Sequence, residues 1–169
     1  MTGQERRKKI LEILKNTEKP ISGSQLAKKM DVSRQVIVQD VALLRAERNE
    51  IIATPRGYLL SPYQSQKVRR VFMVCHDREG IQKELEIIID YGGKVLDTIV
   101  EHPIYGELTP SLMVETRKDI QDFMHQLERH KTVPLLRLTH GVHFHTVEAK
   151  DEETLDLIEK ELREKNYLC

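Results

Sequence analysis

Residues 22–47, SGSQLAKKMDVSRQVIVQDVALLRAE, constrain this chain more than any other stretch. Two apolar runs at helical spacing, Leu26, Ala27 and Met30, then Ile37, Val41 and Leu44, are separated by little more than Asp31, Val32 and Ser33. So short a connection folds two helices against each other, and Ala27 is small enough to let them pack closely. Ser22 or Ser24 can cap the first helix and Ser33 the second. On a wheel of about 100° per residue, Ile37, Val41 and Leu44 make the core stripe, Gln35 and Gln39 fall nearly opposite, and Arg34 opens the helix. Val36 and Val38 flank the stripe, so at least one of them faces out. This is the pattern of a helix-turn-helix, whose second helix enters the DNA major groove.

The flanking residues complete such a domain. A helix runs from about Gln4 to Asn16, with Ile10, Leu11, Ile13 and Leu14 as its stripe, and Pro20 stops it. Ile51–Thr54, then Pro55-Arg56-Gly57, then Tyr58–Leu60 read as a hairpin, a wing with Arg56 at its tip, near the phosphate backbone or the minor groove. The DNA-facing set is therefore Ser33, Arg34, Gln35, Val38, Gln39 and Arg56, with an exposed valine able to meet a thymine methyl. Charge agrees: residues 1–60 hold 12 Lys+Arg against 7 Asp+Glu, and the remainder 15 against 20, so a neutral chain is +5 in front and −5 behind. Only the front half suits phosphate.

MTGQERRKKILEILKN carries charge and no apolar run of signal-peptide length, and nothing approaches the roughly 20 apolar residues of a membrane span. The expected location is cytoplasmic, with no membrane partner. Cys75 and Cys169 do not make a disulfide framework, and Cys75, in an apolar strand-like run, reads as a small core residue. Residues 61–66, SPYQSQ, are polar and aperiodic and read as a linker. The expected domains are a winged helix-turn-helix over 1–61 and a second domain over 67–169. In the latter, Val68–Cys75, Lys94–Val100, Leu112–Glu115 and Val142–Ala149 read as strands, and Arg78–Tyr91, Lys118–Arg129 and Glu152–Lys165 as helices. The order β-α-β-β-α-β-α predicts an α+β sandwich, a mainly antiparallel sheet with helices on one face.

All 7 histidines lie in that second domain. In Gly141-Val142-His143-Phe144-His145 the two histidines are two apart on a strand, so both imidazoles project from one face, about 7 Å apart along the backbone. His76 ends the first strand and Glu84 lies on the following helix. Together His76, Glu84, His143 and His145 make a three-imidazole, one-carboxylate set able to hold a divalent transition metal. Without a thiolate, nickel, zinc, iron(II) and manganese all remain open on chemistry alone. The same histidines also read as a solvated strand face unrelated to His76 and Glu84. His102-Pro103-Ile104-Tyr105-Gly106 interrupts two strands, and His102, Tyr105 and Gly106 can line a small-molecule pocket or merely form a turn. His125 and His130 lie on a charged helix and read as solvent-facing.

Both halves together resemble the NiaR-type niacin-responsive transcriptional repressors. These join a helix-turn-helix of the biotin-repressor type to a C-terminal 3H domain named for its histidines. The resemblance rests on ISGSQLAKKMDVSRQVIVQDVALLR, IIATPRGYLL, VCHDRE, HPIYGE and GVHFHTVEA, and covers almost the whole chain. It implies a homodimer on a palindromic operator, repression of niacin-uptake or NAD-synthesis genes, and nicotinic acid as co-repressor. It also implies a divalent metal, nickel or zinc in chemistry, on His76, Glu84, His143 and His145. His140 stands where a smaller or polar residue is expected. Two other classes fit the residues: a metal-dependent enzyme fused to a DNA-binding domain, and a repressor that senses the metal alone. Against an enzyme, there is no nucleophile elbow, phosphate-binding glycine loop or clear general base near the histidines.

Overall fold

A computed structural model describes residues 1–61, 67–131 and 133–169. The chain divides into two compact units, Met1–Tyr63 and Gln64–Cys169. Apart from Ser61, the stretch read as a linker lies outside the described residues.

The first unit is a three-helix domain with a hairpin. Helices α1 (Gly3–Lys15), α2 (Gly23–Met30) and α3 (Arg34–Ala46) precede strands β1 (Ile51–Thr54) and β2 (Gly57–Leu60). Each helix start is written in the sequence. Thr2 with Glu5 and Ser22 with Gln25 form reciprocal capping boxes, and the Ser33 side chain accepts from the Val36 N–H. Asp31, in the left-handed conformation, ends α2. Ile10, Leu14, Leu26, Ala27, Met30, Ile37, Val41, Leu44 and Ile51 form one core. Each large aliphatic buried there contributes about 1.5–3 kcal/mol. One position on the α3 stripe is not apolar. The buried Asp40 carboxylate receives the Arg6 guanidinium at 2.5 Å and Arg7 at 3.5 Å, both from α1. The wing is joined to the chain before α2: Ile21 and Tyr58 exchange backbone hydrogen bonds at 2.8 Å each way. Gly57 permits this approach, because its φ is +136° and a Cβ there would stand 2.2 Å from the Ile21 carbonyl oxygen.

The second unit is a sheet with helices on one face. Its elements are β3 (Val68–Cys75), α4 (Gly80–Asp90), β4 (Lys94–Asp97), β5 (Val100–His102), β6 (Gly106–Leu108), β7 (Ser111–Val114), α5 (Arg117–Arg129), a 3-10 helix (Leu135–Thr139), β8 (Val142–Ala149) and α6 (Glu152–Glu164). The four-stranded sheet has the order β3-β8-β4-β7, with every pairing antiparallel. Its inner face supplies Phe72, Val74, Val95, Val114, Val147 and Ala149 to a core completed by Ile81, Leu85 and Ile88 of α4, Ile120 of α5, and Leu155, Ile158 and Leu162 of α6. The expected α+β sandwich is therefore found. It gains a small β5–β6 hairpin where the HPIYG segment turns, and the 3-10 helix before β8. Among the described residues no helix is long and apolar enough to cross a membrane.

Cys75 is not a free core residue. It forms a disulfide with Cys169 across 94 positions, the two Cα atoms 5.4 Å apart. Sequence distance hid the pair, since only the return of the chain after α6 brings residue 169 beside the end of β3. There the Cys75 N–H donates to the Tyr167 carbonyl at 2.8 Å, and the Cys169 N–H donates to the Met73 carbonyl at 3.3 Å. Closing so long a loop restricts the unfolded chain, and removing the bond in Cys169→Ser is expected to cost about 2–4 kcal/mol. Urea melts of the variant and of unreduced wild type measure it; coincident midpoints contradict the cross-link.

Candidate functional site

The β3–β8 register builds the site. His143 pairs with Val74 and His145 with Phe72, so both histidines join the buried inner face where α4 packs. His76 follows the last residue of β3, and Glu84 enters from α4, its side chain 1% exposed. Glu84 Oε2 is in close contact with His76 Nε2 and lies 3.6 Å from His143 Nε2, while Oε1 lies 3.1 Å from His145 Nε2. The imidazole centroids of His76 and His143 are 4.7 Å apart, and those of His143 and His145 4.9 Å. The structure thus gathers all four residues that the sequence singled out.

The other ring nitrogens decide what the cluster can hold. His76 Nδ1 meets the Asp77 carbonyl at 2.7 Å, His143 Nδ1 the Gly141 carbonyl at 2.9 Å, and His145 Nδ1 the Asp97 carbonyl at 2.7 Å. A carbonyl oxygen only accepts, so each Nδ1 carries a proton and donates it. Each neutral ring then turns a bare Nε2 toward a carboxylate, which also only accepts. Lone pairs face lone pairs unless protons or a cation lie between them. With Nδ1 as its donor, the neutral His145 ring leaves Glu84 Oε1 without a hydrogen bond, although Nε2 is 3.1 Å away. An orphaned buried oxygen among imidazoles oriented by carbonyls fits a divalent metal, with the carbonyls as outer-shell anchors. His76, Glu84 and His143 form a possible metal-binding group, their ligand atoms all within 4.8 Å of one another.

With no ion in the gap, protons take its place, and the Nε2–H groups then donate to Glu84. Burial pushes the Glu84 carboxyl up from its ordinary 4.5, but the charge of His145 and hydrogen bonds from His143, His145 and His76 outweigh it and hold the group well below that value. Burial likewise pushes His76 and His145 down from 6.5, and the Glu84 carboxylate overcomes it, so both end raised.

Three residues that sequence reasoning missed hold His76 in place. A Cβ at Gly80, in the first turn of α4, would lie 2.7–2.8 Å from the His76 side chain. A Cβ at Gly141, whose φ is +94°, would lie 2.6 Å from the His76 carbonyl oxygen. The Tyr167 ring stands edge-on to His76 at 5.5 Å. The glycines were visible beside the histidines, but only the fold shows that both face residue 76. Asp97 was missed too. Its carbonyl orients His145, and its carboxylate accepts from the Thr146 N–H at 2.9 Å.

His102, Tyr105 and Gly106 lie at the turn of the β5–β6 hairpin, whose approach strand is bridged to β8 at Ile99 and Phe144. His102 Nδ1 accepts from the Ile104 and Tyr105 N–H groups at 3.1 and 3.2 Å, its ring lies 4.9 Å from Tyr105, and Gly106 takes the positive φ of +72°. Ile104 is 81% and Tyr105 75% exposed. His125, His130 and His140 are exposed. In the first unit, α3 presents Arg34, Gln35, Val38 and Gln39 to solvent and keeps Val36 half-buried. Ala42 and Leu43, which the sequence reading did not name, extend its exposed surface. Arg56 sits in the turn between β1 and β2, its N–H donating to Thr54 Oγ1 at 3.2 Å.

Residues 6–59 match the HTH domain and residues 69–169 the 3H domain. Over 165 residues the chain is 47% identical to a Thermotoga maritima protein named as the probable transcription repressor NiaR, covering 98% of this chain and 94% of the relative. Over 171 residues it is 40% identical to the transcription repressor NadR of Bacillus subtilis, covering 99% of this chain and 95% of the relative. The chain belongs to the NiaR/NadR family of transcription repressors. Both NiaR and NadR are named as repressors, which leaves the enzyme reading of the histidines without support.

Two outcomes follow for this NiaR/NadR chain. Gly80→Ala must displace the His76 ring, and nickel affinity measured against a competing chelator is expected to fall about 10–100-fold, the usual cost of disturbing a ligand's support. Unchanged affinity would show that His76 is not held from α4. In metal-stripped protein the cluster contributes its full stability between 4.5, the ordinary value for Glu84, and 6.5, that for the histidines. That contribution is lost as pH rises through the raised values of His76 and His145, and again as pH falls through the depressed value of Glu84. Melts of stripped wild type against Glu84→Gln across pH are expected to show the largest difference on the acid side of neutrality. A difference that grows toward alkaline pH contradicts the charge assignment.

Proposed function

We propose that this chain represses transcription as a homodimer on a palindromic operator, with nicotinic acid as co-repressor bound beside a divalent metal. The genes under its control would be those of niacin uptake or NAD synthesis. The carrying observation is the buried Glu84 carboxylate facing the bare Nε2 atoms of His76, His143 and His145, in a chain whose NiaR and NadR relatives are repressors. The donor set for the metal is those four residues. Three imidazoles and one carboxylate, with no thiolate, suit nickel or zinc. When bound, such a cation supplies a Lewis-acid position that an anionic or nitrogen-donor ligand can fill. Nicotinic acid carries both kinds of donor, a pyridine nitrogen and a carboxylate.

On the DNA side, Ser33 caps α3 so that Arg34, Gln35, Val38 and Gln39 point outward along its first two turns. A dimer would set two such helices in successive major grooves, roughly 34 Å apart, with Arg56 of each wing against the backbone or minor groove. Nicotinic acid changes operator affinity only if it binds the DNA-competent dimer better than the other form, and a tenfold change requires about 1.4 kcal/mol of difference.

The test is a gel shift at fixed salt, with nickel present, across a nicotinic acid titration. Operator affinity is expected to rise, and to stop responding in His143→Ala. Operator binding that needs nickel but ignores nicotinic acid would leave a metal-sensing repressor. Arg34→Ala is expected to weaken operator binding by about 1–3 kcal/mol while sparing random DNA; an equal loss on both would give Arg34 a phosphate role instead.

A further inference from the structure

The disulfide lies next to the metal cluster in both sequence and space. Cys75 directly precedes His76. Its partner ends a short tail that leaves α6 through Asn166, which takes the left-handed conformation at φ 62°. The tail then runs antiparallel along β3, Leu168 bridging Val74. This places the Tyr167 ring at 5.5 Å from the His76 imidazole. Apart from the S–S bond, the tail is held by the partly buried Tyr167 and Leu168 side chains against the core and, among the described residues, by three backbone bonds: Tyr167 N–H to the Leu162 carbonyl, Cys75 N–H to the Tyr167 carbonyl, and Cys169 N–H to the Met73 carbonyl, at 2.8, 2.8 and 3.3 Å. A segment with so few contacts opens locally unless it is tied down. Cys169 is exposed and Cys75 half-buried, so a reagent in solution reaches the tail end of the bond first.

We propose that Cys75–Cys169 is a reversible thiol–disulfide site that sets how tightly the neighbouring histidine–glutamate cluster holds its metal. Its reaction partner is a dithiol of the thioredoxin class. One thiolate of the reductant attacks Cys169 Sγ. A mixed disulfide forms as the Cys75–Cys169 bond breaks, and Cys75 Sγ leaves with the electron pair and takes up a proton. The reductant's second thiol then attacks the mixed disulfide, freeing Cys169 as a thiol and leaving the reductant as its own disulfide. Two electrons and two protons have passed to the protein.

With the bond closed, Tyr167 is pinned beside His76, and the His76 ring is confined between Tyr167, His143 and the first turn of α4. With the bond open, the tail leaves β3, Tyr167 goes with it, and one ligand loses a wall. Loss of a support of this kind weakens metal affinity about 10–100-fold. The core of the unit is formed by β3, β8, β4, β7 and α4–α6, with Tyr167 and Leu168 packed partly buried against it, so opening the tail gives up those two contacts while the sheet and its helices stay paired.

The inference rests on the metal reading above, and the experiment separates the two. Full-length protein, with its disulfide verified by the absence of titratable thiols, is titrated with nickel against a chromogenic chelator, no reductant present. It is compared with the double variant Cys75→Ser, Cys169→Ser, with Tyr167→Ala, and with His143→Ala. The double variant and Tyr167→Ala are expected to bind nickel at least tenfold more weakly than wild type, and the 167–169 amides of the double variant to exchange faster. Equal affinity in wild type and the double variant overturns the latch, while a loss confined to His143→Ala leaves the metal site standing. No nickel bound by wild type removes both. A dithiol is also expected to release two titratable thiols from the native protein. A bond that opens only in denaturant overturns reversibility.

Discussion

A carboxylate with its side chain 1% exposed must find compensating partners, and among the described residues Glu84 finds them in His76, His143 and His145. An isolated carboxylate in an apolar interior costs many kcal/mol, so the three imidazoles and whatever they carry are a condition of folding as well as of binding. The arrangement fixes much else. His143 and His145 must leave the same face of β8, which settles the register against β3. Helix α4 must enter with Glu84 inward, among Ile81, Leu85 and Ile88. Helix α4 must also begin with a residue that has no side chain, because the His76 ring occupies the space above Gly80.

The helical unit contains a simpler version of the same physics. Asp40 lies on the buried stripe of α3 and is answered by Arg6 and Arg7 across the α1–α3 packing. The pair links the arrival of α1 to the orientation of α3, so the surface bearing Arg34, Gln35 and Gln39 is set by an ionic contact on the opposite side of the same helix. The front half's excess of basic residues is thus partly structural, since two of its arginines answer a buried acid and are turned inward.

Much of this was legible from residue order alone. Capping serines announced the starts of α2 and α3, because a side-chain oxygen three residues before a backbone N–H is a local signal. The alternation in Val142–Ala149 placed His143 and His145 on one face for the same reason. The approach of His76 was available only through family resemblance, since it depends on β3 and β8 pairing across some seventy residues. The cysteines show the limit plainly. Their spacing has no local meaning, and only the turn at Asn166 brings residue 169 home. Asp40 was hidden by its neighbours, sitting where the helical stripe calls for an aliphatic residue, and its partners lie two helices away. The HPIYG segment was recognised as an interruption, but its own paired strands are too short to announce themselves.

The backbone pairing of Ile21 with Tyr58 has a mechanical consequence. It welds the loop that launches α2 to the strand that follows the wing tip, and Gly57 leaves no slack between them. Tip and helix pair therefore travel as a single rigid piece. Any adjustment of this unit to a bent or overtwisted duplex must come from movement of the whole head, or from the DNA yielding, rather than from a wing that flexes by itself.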